Sequence, residues 1–312
     1  MPFEKINALS REGTPFLFLS DFKAENVEVF TLDELKKSDI EFAICEEYVY
    51  KAHPHFLKKS PLDFALYKKK FDAIIEEIRS GNTYILNLTQ PTVIDTELSL
   101  QEIYALANAH YKLRYKDEFV CFSPEKFVQI NDDIIHTFPM KGTIDAAIPH
   151  AEEKILANAK EMAEHIMIVD LLRNDLSIVA RDVKVDRFRY TQKIQAGEKE
   201  LWQVSSHISG VLPKDWREHL GDILHSLLPA GSISGAPKKS TLDIIEKTEM
   251  YERGFFSGVF GLFDGQSFDS GVMIRFIEKT RDGYVYKSGG GITLDSDAVS
   301  EYEEMLDKIY LP

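Results

Sequence analysis

The sequence predicts an α+β fold built on antiparallel sheets, and three observations carry that expectation. Strand signals come in groups joined by short turns, with Asp264-Gly265 and Asp282-Gly283 as hairpin turns. Helical periodicity interrupts those groups and does not alternate with single strands, which argues against a doubly wound parallel sheet. The chain has 312 residues, 44% of them apolar, enough to bury a substantial core as one large unit or two ordinary domains.

The elements follow in chain order. TPFLFLSDF, NVEVFTL and EFAICEEYVYK carry the β-branched and aromatic runs of strands. Residues 62–79 read as a helix, because Phe64, Tyr67, Phe71, Ile74, Ile75 and Ile78 recur at helical spacing and Gly81 stands just past its end. TYILNLTQPTVI is a strand, and a helix follows near 100–107. Three short strands, EFVCFS, KFVQI and IIHTF, fill 118–138, with Asn131-Asp132-Asp133 turning between the last two. A long helix is expected over 152–172, strands over 183–211, a helix near 218–228, a loop over 229–237 and a helix over 239–247. Three strands, the triplet Gly289-Gly290-Gly291 and a final helix over 298–310 complete the chain, with Asp295 or Asp297 as its cap. No linker or repeat marks a boundary, and residues 1–64 are taken as a strand-rich part packed on 65–312 in one compact unit.

The net charge is −14 and no Lys/Arg-rich run occurs, so neither nucleic acid nor an anionic membrane is an expected partner. Two cysteines, Cys45 and Cys121, supply neither a disulfide framework nor a thiolate zinc site, and they fit a reducing cytoplasm. The first residues, MPFEKINALSREGTPFLFL, show no apolar stretch behind a basic start, so no signal peptide is expected. No run approaches the ~20 apolar residues that span a bilayer.

Two helices carry acidic pairs. In the last one, Val299, Tyr302, Leu306 and Ile309 form an apolar stripe, with Glu301, Glu304 and Lys308 opposite. Periodicity alone favours a solvated face there with a Glu304–Lys308 ion pair. In the helix over 152–172 the main stripe is Ile155, Ala159, Met162, Ile166 and Val169. Glu164 lies opposite, yet Ile168 and Leu171 share its side, so it stands at the edge of a second buried face, where a carboxylate needs a partner or a cation. Glu161 lies one turn before it. Two helices with Glu pairs at i,i+3 can supply oxygens to one hard cation such as Mg²⁺, which usually takes one or two carboxylates with waters and substrate oxygens.

Other features are ambiguous singly. Gly231-Ser-Ile-Ser-Gly235-Ala-Pro-Lys238 fails the Walker spacing and reads either as an ordinary helix-entry loop or as backbone amides suited to an anion. Pro139-Met140-Lys141-Gly142-Thr143 reads as a surface turn with a solvated lysine. Arg275 lies in the apolar strand GVMIRFI, as an edge cation or as the fixed cation of a carboxylate site. His165 and His207 are expected to be structural, and neither cysteine lies in a nucleophile elbow.

Taken together, IRSGNTYILNLTQ, SPEKF, PMKGT, KEMAEHIMIVDLLRNDL, LPAGSISGAPK, GVMIRF and GGGITLDSDAVSEYEEMLDK resemble the motifs of the chorismate-utilising enzymes, in that family's order and over about residues 65–310. The resemblance implies orthogonally packed antiparallel sheets between helices, in an α/β/β/α order, with 65–312 as the chorismate-binding catalytic region. Lys141 stands where the 4-amino-4-deoxychorismate synthases carry lysine and the anthranilate, isochorismate and salicylate synthases carry alanine, so the sequence is most similar to the first group.

The resemblance also implies roles. Glu164 and Glu304 match Mg²⁺ ligands, with Glu161 and Glu301 as outer or water-mediated partners. Glu125 matches the general acid at the C4 oxygen and is expected to be held protonated. Lys141 would attack C2 of chorismate, which requires a neutral amine and a depressed pKa. Gly142, Thr143, Arg275, Gly290, Gly291 and Lys308 match positions around the substrate, and the loop carrying Gly235 shapes the cavity. Ile85 replaces the lysine base of water-adding members, and Gln203 a histidine of many members. Asn108-Ala-His-Tyr-Lys-Leu replaces the Asn-Pro-x-Pro-aromatic segment, so no tryptophan site is expected. The implied partner is a separate glutamine amidotransferase subunit delivering ammonia. Anthranilate synthase component I and a non-catalytic chorismate-binding protein are the alternatives.

Overall fold

The computed structural model describes residues 1–44, 55–196 and 199–312. Every strand pairing in it is antiparallel, and the strands form two large sheets. The first sheet runs Met140–Asp145, Lys199–Val211, Ile134–Thr137, Lys126–Asn131, Phe268–Val272, Val259–Phe263, Phe16–Ser20, Val27–Thr31, with Arg181–Ala196 also pairing with Lys199–Val211. The second runs Gly235–Ala236, Ile85–Asp95, Gly283–Ile292, Phe276–Thr280, Phe119–Ser123, Tyr111–Tyr115, Ile40–Ile44, with Lys58–Ser60 on the free side of Ile85–Asp95. The α+β class with antiparallel sheets is therefore as expected.

Strand Phe16–Ser20 shows why the layers form. All five of its residues are buried, because alternate side chains point into two different cores. Phe16 and Phe18 join the helices, while Leu17 and Leu19 meet Leu113, Phe119, Cys121 and Phe276 of the second sheet. The contact between sheets is tight at Gly271, where a Cβ would lie 2.3 Å from the Tyr111 ring. The far face of the second sheet is covered by Leu100, Ile103 and Ile309. Helices thus flank a pair of sheets, and among the described residues no helix is long and apolar enough to cross a membrane.

Several elements depart from the sequence reading. The chain opens with a helix, Pro2–Arg11, which buries Ile6 and sets the Phe3 carbonyl against Gly221. Of the expected strand EFAICEEYVYK only Glu41–Ile44 is described, within the strand Ile40–Ile44, and Cys45 lies outside the described residues. The helix of 152–172 is two helices, Ala151–Ala157 and Ala159–Val179. At the break Asn158 turns to extended backbone (φ −70, ψ 114) and its side chain accepts from the Glu161 N–H at 3.2 Å. The Ile155 carbonyl, which also takes the Asn158 N–H at 3.4 Å, and the Leu156 carbonyl accept from the Arg189 guanidinium, at 3.0 and 2.9 Å.

The loop 229–237 contains a helical turn, Gly231–Ser234. Four strands, not three, follow residue 258, and the glycine triplet lies inside the last of them. GVMIRFI is not one strand. Val272 ends a strand of the first sheet and Phe276 begins one of the second, so Arg275 sits where the chain crosses between sheets.

The expected apolar stripes are buried only in part, at Ile155, Val169 and Ile309. Ile166 and Val299 are exposed, whereas Glu164, His165 and Glu301 are buried. The buried face of the last helix is Ala298, Glu301 and Met305, while Glu304 stays exposed and makes the expected ion pair with Lys308 at 2.7 Å.

Candidate active site

Lys141 lies in the edge strand Met140–Asp145, which pairs with Lys199–Val211 at Met140↔Ser205 and again at Thr143↔Gln203. The register shifts between those pairs, so Lys141 and Gly142 occupy a bulge, a device that re-aims a side chain. The lysine is half-buried, with 27% of its side chain exposed. Its Nζ lies 2.8 Å from Glu164 Oε2, and the Lys160 ammonium reaches Glu164 Oε1 at 3.8 Å. Burial alone would lower the Lys141 pKa, but the carboxylates of Glu164, Glu304 and Glu161 outweigh it and hold the pKa above its ordinary value. The expected depression is thus reversed, because the acids come from helices that sequence spacing could not set against this strand.

The four glutamates stand in two pairs. Glu161 and Glu164 project from the Ala159–Val179 helix, and Glu301 and Glu304 from the Ala298–Asp307 helix. Glu161 Oε2 is buried with no hydrogen-bond partner. Burial raises the Glu161 pKa, offset by Lys141 and reinforced by Glu164 and Glu304. Glu301 is buried and also raised, although Ser296 donates to its Oε1 at 2.7 Å. Glu304 pairs with Lys308 at 2.7 Å, and that charge, with Lys141 and Lys160, overcomes the effect of burial and lowers its pKa. Burial in turn lowers Lys308 against the pull of Glu304. An all-oxygen donor set with an orphaned buried acceptor fits a hard divalent cation. Among the described residues no three acids, histidines or cysteines converge as a finished coordination shell, and lysine ammonium groups stand between them.

Glu125 occupies another point where the chain crosses between sheets, from Phe119–Ser123 to Lys126–Asn131. The two crossings are tied together: the Val272 N–H donates to the Glu125 carbonyl at 3.0 Å, and the Phe122 N–H to the Arg275 carbonyl at 3.2 Å. The Ser232 hydroxyl donates to Glu125 Oε1. Burial pushes Glu125 above the usual carboxylate range, against the opposing effects of Ser232, Arg275 and Lys308. The direction is the expected one. Arg275 has a left-handed backbone (φ +51), and its guanidinium donates to the Tyr310 hydroxyl at 3.3 Å.

The remaining residues divide. Gly142 (φ +97) is needed where it stands, because a Cβ there would lie 2.8 Å from Glu161 Oε2. Gly290 faces Glu301 Oε2 and Lys308 Nζ, which would be 3.4 and 3.6 Å from a Cβ, and Lys308 donates to the Gly289 carbonyl at 2.8 Å. Gly291 lies against Ile85. Gly235 is instead packed on the Ile85 carbonyl and the Thr241 side chain, and Thr143 is exposed. The loop around Gly235 is held by Lys238, which reaches Asp175 Oδ1 at 3.2 Å. Sequence reasoning did not single out Ser232, Lys160 or Asp175, since nothing in their spacing reveals which side chains they meet.

Comparison with known proteins points one way. The model of the chorismate binding enzyme family matches residues 17–311. A Haemophilus influenzae protein called "Uncharacterized PabA-like protein" is 46% identical over 313 residues, covering 99% of this chain and 95% of that one. Aminodeoxychorismate synthase component 1 of Escherichia coli is 32% identical over 260 residues, covering 78% of this chain and 56% of that protein. The structure of a "putative 2,3-dihydroxybenzoate-specific isochorismate synthase, DhbC" from Bacillus anthracis superposes with a TM-score of 0.72 at 18% identity, over 98% of this chain and 87% of that one, a likeness of fold.

Proposed function

The chain belongs to the chorismate-binding enzyme family, and from that premise we propose that it is a cytoplasmic 4-amino-4-deoxychorismate synthase component I. It would convert chorismate and ammonia to 4-amino-4-deoxychorismate, the precursor of p-aminobenzoate and folate. The observation that carries this reading is the amine of Lys141, held 2.8 Å from Glu164 among four acids. Similarity to the Escherichia coli aminodeoxychorismate synthase component 1 supports it. So does the buried, apolar Ile85, which offers no base to activate water.

In this mechanism Glu164 and Glu304 would hold Mg²⁺, with Glu161 and Glu301 behind them. A cation held there would supply charge withdrawal at the ring carboxylate. The Lys141 amine, having lost a proton to solvent, forms a bond to C2. The ring double bonds shift, the C4–O bond breaks, and the hydroxyl leaves as water with the proton of Glu125. Ammonia then bonds to C4, the double bonds shift back, the C2–N bond breaks with its electron pair returning to Lys141 as the free amine, and the new C4 ammonium returns a proton to Glu125. The Arg275 guanidinium fits a substrate carboxylate. A glutamine amidotransferase subunit is the proposed source of ammonia.

The test is purified chain with chorismate, ammonium and Mg²⁺. Formation of 4-amino-4-deoxychorismate, with its enolpyruvyl group retained, supports the reading. Pyruvate release with anthranilate would instead identify an anthranilate synthase component I, and saturable chorismate binding without turnover a binding protein.

A further inference from the structure

We propose that His165 is a positioning residue, which holds the backbone of Lys141 by donating its Nδ1–H to the Lys141 carbonyl; this rests on the reading of Lys141 as the reacting amine. The bulge between Met140 and Thr143 interrupts the ladder with Lys199–Val211 just where Lys141 stands. A buried carbonyl that loses its ladder partner needs another donor. His165 is fully buried, and its Nδ1 lies 3.3 Å from the Lys141 oxygen.

The direction of the bond follows from chemistry. A carbonyl oxygen only accepts, so the proton sits on Nδ1. The other ring nitrogen, Nε2, lies 2.7 Å from Ser206 Oγ. That oxygen already accepts from the Arg189 N–H at 2.9 Å, which leaves its own hydrogen to point at Nε2. The Ser206 N–H meanwhile donates to the Pro139 carbonyl at 3.0 Å. The carbonyls on both sides of Met140 are thus anchored by one hydrogen-bonded chain.

His165 follows Glu164 on the same helix, and Glu164 holds the Lys141 amine at 2.8 Å. One turn of helix therefore grips Lys141 at both ends, by side chain and by backbone. A reacting amine displaced by about 1 Å loses about a hundredfold in rate, so the backbone grip matters to the reaction.

The experiment compares His165→Asn, His165→Gln and His165→Phe with the wild-type chain, alongside ¹⁵N NMR of selectively labelled histidines. The Asn amide can occupy the place of Nδ1 and donate to Lys141; the Gln amide reaches toward Ser206. We expect Asn within about threefold of wild-type kcat and Phe down about a hundredfold, with the chorismate KM of each within about threefold. Gln should fall well below Asn. An Asn variant no more active than Gln overturns the proposal. So does a wild-type ring carrying its proton on Nε2 alone, a reading that needs no variant to fold. Failure of the wild-type chain to make 4-amino-4-deoxychorismate would refute the reaction instead, while the ring proton still decides whether His165 holds Lys141.

Discussion

Lys141 and Glu164 form an ion pair across the site, Nζ to Oε2 at 2.8 Å, between a bulged edge strand and a helix that begins at a break. The pair keeps the amine charged in this structure, and it assigns Lys141 two separable properties: a charge that satisfies a buried carboxylate, and a nucleophile. Lys141→Arg keeps the first and removes the second. The expected outcome is a melting temperature within a few degrees of wild type, with product formation reduced about a thousandfold or more. Calorimetry and a product assay check this, and an active arginine variant would remove the nucleophile from the mechanism.

Glu125 is raised above the carboxylate range by burial, so it stays protonated to a higher pH than a free glutamate. As a general acid it works only while protonated, so kcat/KM falls as pH rises through that pKa. Ser232 donates to the ionised form and lowers the pKa. Removing the hydroxyl by Ser232→Ala therefore moves the descending limb to higher pH. A limb that stays put or moves down contradicts the assignment.

Gly142→Ala places a Cβ 2.8 Å from Glu161 Oε2, at a backbone angle of +97°. The backbone cost is about 1–3 kcal/mol, seen as a lower melting temperature. Displacement of Glu161 should also raise the Mg²⁺ concentration needed for half-maximal activity. An unchanged Mg²⁺ requirement would separate Glu161 from the cation.

Glu249 and Arg253 are paired at 2.6 Å with side chains 1% and 2% exposed. Arg253 also donates to the carbonyls of Ile233 and Asn87, which ties the 229–237 loop to the Ile85–Asp95 strand. Arg253→Met leaves a buried carboxylate unpaired and should cost about 3–5 kcal/mol in denaturant unfolding. Adding Glu249→Gln should recover part of that loss, because the buried charge is then gone.

What the sequence made legible follows from how local each signal is. The buried run of TPFLFLSDF and the Asp297 cap of the last helix are encoded within a few residues, and both stand where they were read. The break at Asn158 escaped because Ile155, Ala159 and Met162 continue the helical period across it. The carbonyls at the break accept from Arg189, some thirty residues on. The one local sign was an Asn three residues before Glu161, a capping pattern. The opening helix carried a similarly faint sign in Pro2 at its first position. The charge state of Lys141 and the hydroxyl on Glu125 were not legible, since both depend on side chains brought from other elements.

The most direct measurement is the product of the isolated chain given chorismate, ammonium and Mg²⁺, resolved by chromatography and mass spectrometry with Lys141→Ala as control. The account predicts 4-amino-4-deoxychorismate from the wild-type chain, no pyruvate, and neither from the control. Anthranilate with pyruvate, isochorismate, or turnover that survives in Lys141→Ala would contradict it.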